Sequence, residues 1–250
     1  MLLPEVSIFR LHGRLDILQE SVCVNKMSIN IAIDGPAGAG KSTLAKEFAK
    51  RLQYIYVDTG AMYRGIAYYF LKNQMDVTNQ TLICNQCTSI ELRIQYEDGI
   101  QHVICNEEDI TNFIRTEEVG NAASIVSSYP CVRQHLLDMQ KKIARESDVI
   151  MDGRDIGTCV LPNAQLKIYL TASVECRAQR RFDELKSKME QADYDKIYNE
   201  IMDRDYRDMN RATAPLKRAE DAFLVDSSEM NIEEVLDYFM KLYKDVILCA

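Results

Sequence analysis

The sequence predicts an α/β fold in which helices cover both faces of a central parallel sheet. Two observations lead to this prediction. Short apolar runs alternate with helical segments along the chain, and the run at 29–34 is followed at once by a glycine-rich stretch and a helix. In that helix Leu44, Phe48 and Leu52 recur every four residues and line one face. The first unit is therefore a strand, a loop and a helix.

The remaining core elements follow from the same alternation, and a different pattern marks the middle of the chain. Residues 90–96 and 101–105 alternate apolar and polar positions around an Asp98-Gly99 turn, which predicts a small antiparallel insert over about 83–112. Residues 173–211 are charged and helical. Further core strands are predicted at 54–58, 148–152, 165–172 and 222–226, and helices at 61–71, 116–128, 130–146 and 231–247.

Composition narrows the class of protein. The chain has 250 residues, 47% of them hydrophobic, and a formal net charge of −8. An acidic protein is not built to hold a polyanion by its overall field, so we expect no nucleic-acid partner. No run of apolar residues is long enough to span a membrane, and the start of the chain is a poor signal peptide. We expect a cytoplasmic monomer with no membrane partner.

The cysteines are expected to be free thiols. Cys84 and Cys87 form a lone C-x-x-C pair, whereas a zinc site requires a second pair at similar spacing. Without an export signal, reduced thiols are the better interpretation than disulfides. This expectation applies to Cys23, Cys84, Cys87, Cys105, Cys131, Cys159, Cys176 and Cys249.

Residues 35–42 carry a phosphate-binding motif. They read GPAGAGKS and fit G-x-x-x-x-G-K-[ST], between a predicted strand and a predicted helix. Glycines let backbone N–H groups wrap around phosphates, and the helix N-terminus adds its dipole. Lys41 is expected to reach the β- and γ-phosphates of ATP, and the Ser42 hydroxyl to hold Mg²⁺. The residues expected to bind ATP are Gly35, Pro36, Ala37, Gly38, Ala39, Gly40, Lys41, Ser42 and Thr43.

This phosphate-binding loop (P-loop) leaves several classes of protein open. Asp152, which ends the strand at 148–152, is a candidate second ligand of Mg²⁺, although many buried strands end in Asp. A nucleotide-dependent switch is the main competing class. A GTP-type switch carries an Asn-Lys-x-Asp motif downstream of the loop, and the sequence has none there.

Arginines near predicted strand ends favour a kinase that acts on a small phosphorylated acceptor. Arg64 lies on the helix after 54–58, and Arg154 and Asp155 follow 148–152. Ligands of parallel sheets bind beyond the carboxyl ends of the strands. Guanidinium groups are well suited to a phosphate monoester because they bind it with two parallel hydrogen bonds.

A second arginine cluster predicts a mobile helical lid. A phosphoryl-transfer enzyme needs positive charge that closes over the reacting group and excludes water. We assign Arg180, Arg181 and Arg204 to this catalytic role, whereas the alternative is an exposed helix with many salt bridges. Arg204, Asp208 and Arg211 are spaced i, i+4 and i+7 and are expected to share one helix face.

Together these motifs resemble the bacterial cytidylate kinase family. The residues that carry the resemblance are GPAGAGKS, DTGAMYR, NAAS at 121–124, DGRDIGT and RDYRDMNRATAPL, in the order of that family. The resemblance implies a three-layer P-loop kinase fold with a small antiparallel β insert in the acceptor-binding region and a helical lid. It implies a (d)CMP kinase that uses ATP and Mg²⁺. Another small acceptor, UMP, AMP or shikimate, remains the alternative.

The resemblance also implies roles for individual residues. Thr59 stands where the family places a hydroxyl near the acceptor phosphate, and Arg64 and Arg154 stand at the positions that bind that phosphate. The positions of Ser124, Arg133 and Asp155 contact cytosine, those of Arg204 and Asp208 contact the sugar, and Arg211 supports the base pocket. The implied domain covers 27–250, with a core of 27–82, 113–176 and 212–250, the insert at about 83–112 and the lid at about 177–211.

Residues 1–26 are expected to be an extension, disordered or not part of the native protein, because they precede the first core strand and match no element of the fold. A chain that begins at Met27 should therefore keep its kinase activity and lose little stability. Turnover and the midpoint of thermal unfolding of both chains test this. A large fall in either would mean that the extension is structural.

Overall fold

A five-stranded parallel sheet forms the centre of the described chain. The computed structural model describes residues 28–97, 99–189 and 191–249, so the expectation for 1–26 lies outside the described residues. The strands are β1 (Asn30–Asp34), β2 (Ile55–Asp58), β6 (Val149–Gly153), β7 (Leu166–Thr171) and β8 (Phe223–Asp226), in the order β2-β6-β1-β7-β8. The predicted central parallel sheet is confirmed.

Helices cover both faces of this sheet because its strands alternate their apolar side chains. Ile31 and Ile33 of β1 face α1 (Lys41–Leu52) and α8 (Ile232–Tyr243). A π-helical turn at Lys244–Leu248 follows α8. Ala32 faces the opposite side, with α5 (Pro130–Glu146) and a π-helical turn at Ile156–Val160. Three layers result, as the family resemblance implied.

A second hydrophobic core lies beside the sheet. The strands β3 (Leu92–Glu97), β4 (Ile100–Cys105) and β5 (Glu108–Asp109) form a small antiparallel sheet in the order β3-β4-β5. It shares one cluster of buried residues with α5 and with three more helices. These helices are α2 (Thr59–Lys72), α3 (Gln80–Cys87) and α4 (Glu117–Val126).

The predicted insert begins differently from what the sequence suggested. Residues 83–87 were expected within the antiparallel part, but they belong to α3. The Asn79 side chain accepts a hydrogen bond from the Leu82 amide at 3.1 Å and so caps the helix. Ile83 and Cys87 lie one helical turn apart and are both buried. A period of four over so short a segment is easily missed.

The expectation of free cysteines is wrong for Cys84 and Cys131. Their sulfur atoms form a disulfide with an S–S distance of 2.00 Å, although 47 residues separate them in the sequence. The packing of α3 against α5 places their Cα atoms 5.5 Å apart, within the range that a disulfide can span. Cys87, Cys105, Cys159, Cys176 and Cys249 are free thiols, and Cys23 lies outside the described residues.

The charged segment forms a helical hairpin. It consists of α6 (Val174–Ser187) and α7 (Tyr194–Asn210), which pack together through Ala178, Ile197 and Ile201. Among residues 28–97, 99–189 and 191–249, no helix has the length and apolar character needed to cross a bilayer.

The hydrophobic core between the parallel sheet and helices α1 and α8 gives a stability prediction. The Phe239 side chain is fully buried, with its ring centroid 5.5 Å from that of Phe48, whereas Phe113 is 52% exposed. Phe239→Ala should lower the free energy of unfolding by about 3–5 kcal/mol. Phe113→Ala should cost about 1–2 kcal/mol, because this half-exposed ring loses only its stacking on Tyr68 and part of its burial. Urea denaturation measures both, and equal losses would contradict this account of the core.

Candidate active site

A cleft of about 1590 Å³ opens at the carboxyl ends of β1, β2 and β6. The P-loop follows β1, α2 follows β2, and the loop with Arg154 and Asp155 follows β6. Helices α4, α6 and α7 also contribute side chains to its wall. One cleft therefore contains the phosphate-binding motif and both arginine clusters that the sequence singled out.

The P-loop has the backbone form that a phosphate cradle requires. Gly38 and Gly40 have φ angles of +75° and +86°, a region that side chains disfavour. At Gly35 a Cβ atom would lie 1.9 Å from the Leu170 carbonyl oxygen, so only glycine fits there. Lys41 is buried in the first turn of α1, and its ammonium donates to the Pro36 carbonyl at 2.6 Å. Burial, reinforced by the charge of Arg154, lowers the pKa of Lys41.

Asp152 connects three elements at the floor of the cleft. Its carboxylate accepts hydrogen bonds from the Ser42 hydroxyl at 2.9 Å and the Tyr56 hydroxyl at 3.0 Å. Burial and the neighbouring Asp58 raise the pKa of Asp152 to about 6. The two predicted magnesium ligands, Ser42 and Asp152, are therefore in direct contact.

The Thr59 hydroxyl, which was expected near the acceptor phosphate, already donates to a group of the protein. The Thr59 side chain is buried, and its hydroxyl donates to the Asp152 carbonyl oxygen at 2.7 Å. The O–H group is thus already used within the protein, although Thr59 borders the cleft. Its role in this structure is to join the start of α2 to the end of β6.

Arg64, Arg154 and Arg204 form a cationic cluster in the same cleft as Lys41 of the P-loop. The Arg154 Nε lies 2.9 Å from an Asp208 carboxylate oxygen. Among the described residues the Arg204 Nε atom is buried without a hydrogen-bond partner, and Arg64 has no ion-pair partner. Burial, together with the charge of Arg154, lowers the pKa of Arg204 to about 10. Such a cluster is suited to a bound anion that would supply the missing negative charge.

Asp155 lies between two other arginines. Its carboxylate accepts from the Arg133 guanidinium and from Arg211 Nη2, the latter at 3.1 Å. Arg133 also lies over the Tyr63 ring, 5.5 Å from the centroid. Asp155 is therefore not the partner of its neighbour Arg154, which pairs with Asp208 instead.

Two further predicted base-pocket residues have informative surroundings. The Ser124 hydroxyl oxygen is buried and has no hydrogen-bond partner among the described residues, and Ser124 lines the cleft. Arg211 lies one residue beyond the end of α7, so the expectation that it shares a helix face with Arg204 and Asp208 is wrong. Its extended backbone nevertheless brings its guanidinium to Asp155.

The two predicted lid arginines of α6 line the cleft but bind protein groups. Arg180 Nη2 donates to the Ser227 carbonyl at 2.7 Å. Arg181 Nη1 lies 2.9 Å from a Glu184 carboxylate oxygen, and its side chain is 41% exposed. Both are at the cleft wall, where the sequence placed them, and their catalytic role stays a prediction.

Sequence reasoning missed Arg177 and Arg115. Arg177 is buried, donates to the Ala37 carbonyl of the P-loop at 2.9 Å, and pairs with Asp205 of α7 at 2.7 Å. It therefore ties the loop to the helical hairpin. Arg115 binds Asp58 at the end of β2. No feature of the charge pattern separates Arg177 from Arg180, because burial depends on which face of α6 packs against the P-loop.

Comparison with known proteins decides the family. The family model described as cytidylate kinase matches residues 31–245. The chain belongs to the cytidylate kinase family. A cytidylate kinase of Caldicellulosiruptor bescii is 50% identical over 219 residues, which cover 88% of this chain and 97% of the relative. A cytidylate kinase of a Geobacillus species is 46% identical over 220 residues, which cover 88% and 98%.

One solved structure resembles this chain in its fold. An uncharacterised protein from Eubacterium ventriosum superposes with a TM-score of 0.50 at 11% identity, covering 87% of this chain and 99% of that one. At this identity the likeness concerns the fold alone.

The contacts of Arg177 predict a stability difference between two arginines of one helix. Arg177→Ala would leave the buried Asp205 carboxylate unpaired, which costs about 3–5 kcal/mol of unfolding free energy. Arg181→Ala removes a surface pair and should cost less than about 1 kcal/mol. Urea denaturation of both variants decides. If Arg177→Ala were as stable as Arg181→Ala, the buried pair would have no structural role.

Proposed function

We propose that this member of the cytidylate kinase family transfers the γ-phosphate of ATP to CMP and dCMP. The observation that carries the proposal is the position of Asp155 in the cleft. Asp155 and its two arginine partners lie beside the cluster of Arg64, Arg154 and Arg204, and the P-loop forms another wall. A pyrimidine nucleotide has a phosphate for the arginine cluster and a base for the carboxylate.

We assign the polyphosphate of ATP to the P-loop. The backbone N–H groups of this loop, which Pro36 lacks, bind its oxygens, and Lys41 contacts the β- and γ-phosphates. The lysine is held in place through the Pro36 carbonyl. ATP brings negative charge next to the buried ammonium and offsets the burial that lowers the lysine pKa.

The residues around Asp152 fit Mg²⁺. Ser42 and Asp152 would hold the ion, because a hydroxyl and a carboxylate in contact offer the oxygen ligands that it prefers. When bound, Mg²⁺ neutralises phosphate charge and orients the γ-phosphate. The Tyr56 hydroxyl keeps the carboxylate of Asp152 in one orientation.

The acceptor phosphate is assigned to Arg64 and Arg154. An oxygen of this phosphate is already a nucleophile, so the reaction needs neither a covalent intermediate nor a dedicated base. The oxygen attacks the γ-phosphorus, and the bond from that phosphorus to the β–γ bridging oxygen breaks. Asp208 orients Arg154, and we assign Arg204 and Asp208 to the sugar. Catalysis then consists of positioning and charge neutralisation.

The lid assignment completes the proposal. We assign Arg180 and Arg181 to the transferring phosphate, which requires that they exchange their contacts with Ser227 and Glu184 for the nucleotide. We also propose a cytoplasmic monomer that acts on free nucleotides; the net charge of −8 supports the monomer, because like charge opposes self-association.

A panel of acceptors tests the proposed function. ADP release should be fast with CMP and dCMP and much slower with UMP, AMP or shikimate. Lys41→Ala should abolish turnover while the chain stays folded, because the lysine stabilises the negative charge that shifts between phosphates in the transition state. Circular dichroism is the control for folding. Fast turnover of shikimate or AMP and none of CMP would overturn the assignment of the acceptor.

Asp155 is the residue proposed to distinguish cytosine from uracil. Cytosine offers an N4 amino donor to a carboxylate, whereas uracil offers a carbonyl oxygen there. Asp155 keeps its two arginine partners with either base, but uracil loses the hydrogen bond to this charged group, which is worth about 1.5–3 kcal/mol and gives roughly ten- to hundredfold selectivity. Asp155→Asn can present either its oxygen or its NH₂ group, so the ratio of kcat/KM for CMP to that for UMP should fall. An unchanged ratio would mean that Asp155 only orients Arg133 and Arg211.

A further inference from the structure

Arg115 lies at the edge of the cleft, on the segment between the antiparallel insert and α4. Its Nη2 atom donates to an Asp58 carboxylate oxygen at 2.7 Å. Asp58 is buried, but the Arg115 side chain is 55% exposed and lines the cleft. More than half of the Arg115 side chain is thus open to the cleft or solvent although its partner is buried. A purely structural partner of a buried carboxylate would be expected to be buried with it.

Asp58 is itself held from several sides. Its other carboxylate oxygen accepts from the Ala61 amide at 2.8 Å and caps α2, the helix that carries Arg64. The Gln101 side chain of β4 accepts from the Asp58 amide at 2.8 Å and donates to its carbonyl at 3.2 Å. Because Asp58 is fixed by these contacts, it holds Arg115 in a defined place.

Arg115 keeps unused donors in the same cleft as Arg64 and Arg154. A guanidinium carries five N–H donors, and Asp58 is the one hydrogen-bond partner of Arg115 among the described residues. Burial is the main cause of the lowered pKa of Arg64, and the positive charge of Arg115 contributes to it. A Cβ atom at Gly60 would lie 3.2 Å from Asp58 Oδ1 and 3.4 Å from Arg64 Nη1, so both arginines lie beside the Asp58 carboxylate and their like charges repel each other. A phosphate dianion between them would replace this repulsion by attraction.

We propose that Arg115 is a further substrate-binding residue, which binds the phosphate of the acceptor nucleotide together with Arg64 and Arg154. The inference rests on the proposed function, because it needs a phosphorylated acceptor in this cleft. Asp58 orients the guanidinium, and the segment between β5 and α4 supplies the residue. This connecting segment would thereby contribute a positive charge to the acceptor site.

The test compares CMP with cytidine, which has the same base and sugar but no phosphate. Affinities are measured by calorimetry for CMP and by competition against CMP for cytidine. Arg115→Ala should weaken CMP binding about tenfold, equal to about 1.4 kcal/mol, and leave cytidine binding unchanged. Arg115→Lys keeps the positive charge but not the planar fork of donors. Its affinity for CMP should therefore lie between that of Arg115→Ala and that of the unsubstituted protein. The KM for ATP should not change.

Arg93 provides the matched control. It is an arginine of β3 whose side chain is 43% exposed and pairs with Glu107 on the surface of the insert. Arg93→Ala should bind CMP and cytidine with the same affinities as the unsubstituted protein.

Two outcomes would overturn the inference. Equal weakening of CMP and cytidine would show that Arg115 acts only through the structure around Asp58. Unchanged CMP binding in Arg115→Ala would show that the phosphate does not contact it. If Arg115→Ala failed to fold, the same comparison with Arg115→Gln would decide. Failure of the proposed function would be distinguishable from failure of this inference, because the unsubstituted protein itself would then not phosphorylate CMP.

Discussion

The arrangement of the site depends on the hydrogen bonds of Asp152 at the end of the strand β6. This strand lies between β1 and β2, and the parallel register pairs Asp152 with Ile33 on one side and Asp58 on the other. The carboxylate accepts a hydrogen bond from Ser42, the last residue of the P-loop motif, and the backbone carbonyl accepts one from Thr59 at the start of α2. One residue thus fixes the distance between the donor loop and the acceptor helix.

Around this centre, ion pairs set the direction of the arginines. Buried pairs add little net stability, because desolvation offsets most of their attraction, but they hold side chains in one orientation. Arg154 is oriented by Asp208, and Arg133 and Arg211 by Asp155. Arg64 and Arg204 keep positive charge available for substrates. A chain with a net charge of −8 can therefore bind polyanionic nucleotides through a local cationic cleft.

The fold and much of the site could be predicted because local patterns carry them. The P-loop is defined by glycines within eight residues, and the predicted strand at 148–152 nearly coincides with the observed Val149–Gly153. Long helices such as Pro130–Glu146 show enough turns for their period to be recognised. The short helix α3 does not, and its residues 83–87 were assigned to the antiparallel insert.

The sequence by itself determined the family, the P-loop and which arginines follow the strands, because these depend on residue order and spacing. Only the tertiary structure decided the pairing of side chains that are far apart in the chain. It joins Cys84 to Cys131, Arg177 to the P-loop, and Arg115 to Asp58. It also pairs Asp155 with Arg133 and Arg211 instead of Arg154. The physical reason is that burial and charge pairing arise from helix packing, which places residues from separate elements within reach of one another.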